Sequence, residues 1–111
     1  MIFITGPMFS GKRTAAMKLL HCSREELAEH AVWEAEKLAC DCGDLEKLAD
    51  ELAANEVVIA SEVGAGIVPA DAEERRNREA AGRLAILLAQ RADTVLRVFC
   101  GIPTVLKGTL S

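Results

Sequence analysis

The chain has 111 residues, half of them apolar and 27% charged, a balance that suits one domain with a modest core and not a disordered segment. Its formal net charge of −4 argues against a general nucleic-acid binder, which needs a basic face to neutralise phosphates. No apolar run approaches the roughly 20 residues of a membrane span, and the N-terminus enters a strand-like run at once with no room for a signal peptide, so a cytoplasmic protein is expected.

The apolar run Ile2-Phe3-Ile4-Thr5 reads as a strand, and Ala15-Ala16-Met17-Lys18-Leu19-Leu20 can propagate a helix. Between them lies Gly6-Pro7-Met8-Phe9-Ser10-Gly11-Lys12-Arg13-Thr14, a G-x-x-x-x-G-K sequence in the strand–loop–helix setting that makes a phosphate cradle. Loop N–H groups converge on an anion there, the free N–H groups of the helix start add positive potential, and a lysine reaches the outer phosphates. Gly6, Ser10, Gly11, Lys12, Arg13 and Thr14 are therefore the candidate nucleotide-binding residues. Two positions depart from the pattern. Arg13 stands where a Ser or Thr hydroxyl normally meets Mg²⁺, and the next hydroxyl, on Thr14, lies about 100° further round the helix. Pro7 removes one N–H from the loop.

Further along, Ser23 with Glu26 three residues later forms a capping box that opens a short helix to about Glu29. The stretch Ala31–Glu36 reads as a strand with Val32 and Trp33 on opposite sides, although a continued helix is compatible with it. Leu45, Leu48, Ala49 and Leu52 recur at i, i+3, i+4, i+7, the buried face of a helix from Asp44 to Ala53. The continuous apolar run Val57-Val58-Ile59-Ala60 suits a parallel strand covered on both faces.

Glu62 begins the glycine-bearing loop at the carboxyl end of that strand, the edge where open α/β sheets bind ligands. Gly64 and Gly66 in this loop supply conformations or close approaches that a Cβ would block, and mark it as a candidate substrate loop. Asp71 caps a second long helix, with Ala81, Leu84, Leu87 and Leu88 on its buried side, running to about Arg91. Arg75, Arg76 and Arg78 alternate with glutamates on that helix and read as a solvated face. Thr94–Phe99 is the next strand, and Gly101-Ile102-Pro103 turns the chain into a short tail ending Val105-Leu106-Lys107.

Strands and helices thus alternate. The expected fold is an α/β, P-loop NTPase-like three-layer domain with a small, mostly parallel sheet, residues 1–111 forming a single nucleotide-binding domain. Cys22, Cys40, Cys42 and Cys100 are expected to be reduced thiols, since Cys40-Asp41-Cys42 lacks the paired spacings of a zinc site.

The segment Glu62-Val63-Gly64-Ala65-Gly66-Ile67-Val68-Pro69 resembles the N-E-V-G-x-G-I-V-P stretch of the adenosylcobinamide kinase / adenosylcobinamide-phosphate guanylyltransferase proteins of cobalamin biosynthesis. Ala81-Gly82-Arg83, Ala92-Asp93-Thr94-Val95 and Gly101-Ile102-Pro103 follow in that family's order, and Ile4-Thr5-Gly6 with Ser10-Gly11-Lys12 match its opening. The resemblance implies transfer of the γ-phosphoryl group of ATP or GTP to the aminopropanol hydroxyl of cobinamide. Lys12 would steady that group, and Glu62, with Thr14, would be the candidate ligands of Mg²⁺. It also implies a corrinoid substrate and a homo-oligomer. Family members are longer. Trp33, with Glu36 nearby, stands for their W-x-T-x-E, a resemblance that would place no histidine at the guanylylated position (His30 is near but out of place, and His21 ends the first helix), so guanylyl transfer is not expected. The alternative is a non-catalytic, nucleotide- or anion-binding regulatory relative.

Overall fold

A computed structural model describes residues 1–40, 42–62 and 71–109. All five strands join one sheet in the order β2-β3-β1-β4-β5: β1 (Ile2–Gly6), β2 (Ala31–Val32), β3 (Val57–Ser61), β4 (Thr94–Phe99) and β5 (Ile102–Lys107). The first four are parallel, with β1 between β3 and β4, and β5 closes the edge antiparallel to β4. The helices are α1 (Lys12–Leu20), α2 (Arg24–His30), α3 (Ala35–Leu38), α4 (Leu45–Leu52) and α5 (Ala72–Arg91).

Strand alternation explains the layers. Phe3, Val58, Ala60 and Val95 point to one face, where they pack with Leu52 of α4 and Leu84 and Leu88 of α5. Ile4, Val57, Ile59, Leu96 and Val98 point to the other, against Ala16 of α1 and Leu27 of α2. Both faces of the central strands are covered, which is why they read as unbroken apolar runs. This is the α/β, P-loop-like architecture with a mostly parallel sheet that the pattern predicts.

The local signals act as their chemistry requires. Ser23 Oγ accepts from the Glu26 N–H while Glu26 Oε1 accepts from the Ser23 N–H, a reciprocal cap. Asp44 and Asp71 cap α4 and α5, Asp71 by accepting from the Glu73 N–H.

Two expectations change. The stretch from Ala31 to Glu36 forms a strand only over Ala31–Val32, because Glu34 turns to φ 58° and the chain enters α3 at Ala35. The C-terminal tail is a strand, all six of its residues exposed, held by main-chain pairing to β4 and not by burial.

Candidate active site

The glycine-bounded loop from Gly6 to Gly11, expected from the sequence to be a phosphate cradle, sits where β1 ends and α1 begins. Gly6 has φ 150°, and a Cβ there would lie 2.2 Å from the Val98 carbonyl oxygen, so β4 presses on the loop's first residue. Gly11, at φ 90°, is the N-cap of α1 and supplies no side-chain cap, leaving the first helical N–H groups to the loop's own space. Gly101, in the turn between β4 and β5, braces the loop, its N–H donating to the Ser10 carbonyl at 2.7 Å. Over the loop opens a cavity of about 360 Å³ whose walls include Ser10, Lys12, Thr14, Trp33, Glu36 and Ser61.

Lys12 is buried, only 8% exposed, and its ammonium folds back into the loop. Nζ donates to the Pro7 carbonyl at 2.6 Å and lies 3.5 Å from Ser10 Oγ. Burial pulls its pKa down, while the negative charges of Glu36 and Glu62 hold it up. Among the described residues the ammonium pairs with no carboxylate, so its charge is available to an incoming anion.

Arg13 lines the same cavity. Its guanidinium stacks 4.6 Å from the centre of the Trp33 ring and 4.0 Å from Glu34 Oε1. Thr14 is exposed at the cavity rim.

Two acids approach the loop. Glu62 continues β3 by one residue, its N–H donating to the Gly6 carbonyl at 2.8 Å. Its carboxylate is gripped by Arg97 of β4, Nε to Oε1 at 2.6 Å and Nη2 to Oε2 at 3.0 Å. That fork holds the Glu62 carboxyl below the usual glutamate range and keeps the Arg97 guanidinium firmly charged. Glu36, on α3, is the second acid. Its Oε1 accepts from the Ser61 N–H at 2.9 Å, and its Oε2 is buried with no hydrogen-bond partner among the described residues. This orphaned carboxylate oxygen lies on the wall of the cavity that Lys12 also lines, and a buried polar atom of that kind calls for a partner.

The histidines lie elsewhere. His30 ends α2 just before Ala31, which pairs with Val57 at the amino edge of the sheet, and its Nδ1 sits 3.4 Å from Glu56. His21 caps the far end of α1 in a left-handed conformation. Both are at the opposite end of the sheet from the loop. Cys40 and Cys42 join no group of three metal-ligating side chains among the described residues. Gly64 and Gly66 lie outside the described residues, as does the segment from 63 to 70.

Sequence reasoning missed Arg97 altogether and reached Glu36 only through the resemblance. A lone arginine in the apolar run Thr94–Phe99 was the available signal for the first, since a strand covered on both faces rarely carries an unpartnered charge.

With the loop, its lysine and the two acids in place, comparison with known proteins is informative. Residues 20–106 match the family described as cobinamide kinase / cobinamide phosphate guanyltransferase. The chain belongs to that family. The match begins beyond the phosphate loop, so the loop and the family match are two separate lines of support. No curated protein matches the chain. Among the described residues, no helix is long and apolar enough to cross a membrane.

Proposed function

We propose that this member of the cobinamide kinase / cobinamide phosphate guanyltransferase family binds a nucleoside triphosphate on the Gly6–Thr14 loop and passes its γ-phosphoryl group to the hydroxyl of a cobinamide-type acceptor. The observation that carries this is the Lys12 ammonium, folded into a glycine-bounded loop beneath an open cavity at the carboxyl edge of the sheet. The acceptor hydroxyl oxygen would form the new bond to phosphorus and release its proton to water, as the bond from the γ-phosphorus to the bridging oxygen breaks and a nucleoside diphosphate leaves. Such a transfer asks the protein for positioning and charge neutralisation more than for covalent chemistry. Lys12 would neutralise the outer phosphates, and the N–H groups of Ser10 to Arg13 would hold the inner ones.

Magnesium keeps most of its waters and needs only one or two carboxylates besides the phosphates. Glu36, with its open oxygen, fits that need better than Glu62, whose two oxygens are already in the Arg97 fork. The ion, when bound with ATP or GTP, would supply further charge neutralisation at the phosphates. Guanylyl transfer is not proposed, because His21 and His30 stand at the far end of the sheet. A cytoplasmic location and a single nucleotide-binding domain over residues 1–111 complete this reading.

A second reading, a non-catalytic nucleotide- or anion-binding relative, is favoured by one specific observation. Arg13 occupies the position of the usual hydroxyl and is committed to Trp33. Incubation with γ-labelled ATP or GTP, Mg²⁺ and cobinamide separates the two. The kinase reading expects label on the corrinoid. Nucleotide binding with no label on any corrinoid acceptor would establish the second reading instead.

A further inference from the structure

The ion pair between Glu62 and Arg97 is not accounted for by the loop alone. It joins residues on either side of β1: Glu62 follows Ser61, which pairs with Gly6, and Arg97 pairs with Thr5. The pair therefore bridges the end of β1 where the phosphate loop begins. Neither partner is buried, Glu62 being 29% and Arg97 42% exposed in the side chain, so as a stabilising device alone it would be worth little. Its geometry is that of a holder. Glu62 takes two of the five guanidinium N–H groups on one edge, through Nε and Nη2, and Phe99 lies 5.6 Å from the guanidinium carbon. Glu62 also lines a cleft of about 500 Å³ with Pro7, Met8 and Glu36, on the side of the loop that faces α5.

We propose that Arg97 contacts the outermost phosphate of the bound nucleoside triphosphate, and that Glu62 is a positioning residue that fixes Arg97 for that contact. The proposal rests on the nucleotide-binding reading above and adds to it a residue that senses the third phosphate. Arginine is suited to this, because its planar fork can give one edge to a carboxylate and keep other donors for a phosphate oxygen. An arginine supplied from the same chain is an established way to neutralise a transferring phosphoryl group in other phosphotransferases. Arg97 exchanges no proton and forms no covalent bond in this role.

The test is calorimetric, on the full chain without Mg²⁺, so that no metal ligation by an acid contributes. Affinities for ATP and ADP, and for GTP and GDP, are compared among wild type, Arg97→Met, Arg97→Lys and Glu62→Gln, each checked for folding by thermal denaturation. The wild type should prefer the triphosphate. Arg97→Met should weaken triphosphate binding about tenfold, the worth of a charge-assisted hydrogen bond, and leave diphosphate binding unchanged. Glu62→Gln should reduce the same preference by less, and adding it to Arg97→Met should have no further effect. Arg97→Lys should recover part of the loss. Equal weakening of both nucleotides would assign the pair a structural role and overturn the proposal, as would an unchanged preference in folded Arg97→Met. Should Arg97→Met fail to fold, an unchanged preference in Glu62→Gln and Arg97→Lys overturns it equally. If the wild type binds no nucleotide at all, it is the nucleotide-binding reading that has failed.

Discussion

Replacing Lys12 with alanine should weaken ATP and GTP binding by roughly ten- to a hundredfold, the range expected for a lost hydrogen bond from a charged donor. The expectation follows from where the ammonium is. Lys12 is almost fully buried, bonds among the described residues to Pro7 and Ser10 of its own loop, and can exchange those contacts for phosphate oxygens. Arg13→Ala should cost much less, since that guanidinium already serves Trp33 and Glu34. Isothermal titration of the two variants and the wild type measures this directly. Equal affinities for wild type and Lys12→Ala would show that the anion does not meet the lysine.

The second large effect is on stability. Gly6→Ala should lower it by about 3 kcal/mol or more, because the new Cβ must displace main chain as well as adopt an unfavourable φ. The clash is with the Val98 main-chain carbonyl, at the carboxyl end of the central strand β1 just past its last pair with β4, Thr5 with Arg97, and φ at Gly6 is 150°. A loss of that size is a large part of the total for a domain this small. Thermal denaturation should show a midpoint lower by about 10 °C or more. A variant that melts with the wild type would mean that β4 can move away from the loop freely, which would remove the reason for the glycine.

Much of the fold is legible because its signals are local. The Ser23 and Asp71 caps, the leucine face of α4 and the unbroken run of β3 each follow from residues within a turn or two. β2 is legible only in part, since Ala31–Val32 pairs with β3 while a left-handed residue at Glu34 cuts the strand short. β5 carries no burial pattern at all. Its six residues are exposed and include Pro103, so only its pairing with β4 makes it a strand.

The candidate site divides the same way. The loop from Gly6 to Thr14 is readable because glycine, lysine and helix start are consecutive. Glu62 could be placed at the right edge from its strand, but its partner Arg97 is 35 residues further on, and no spacing rule links them. Glu36 reaches the cavity through the short helix α3, which the sequence read as strand, so its open carboxylate oxygen could not have been anticipated from the pattern.

The proposed function requires an anion over the N–H groups at the start of α1. Titrating isotope-labelled protein with ATP and following its backbone amide resonances tests this most directly. Saturable shifts are expected at Ser10, Gly11, Lys12 and Arg13, with inorganic triphosphate moving the same resonances. Saturable shifts confined to another part of the chain, or no shifts at any concentration, would contradict it.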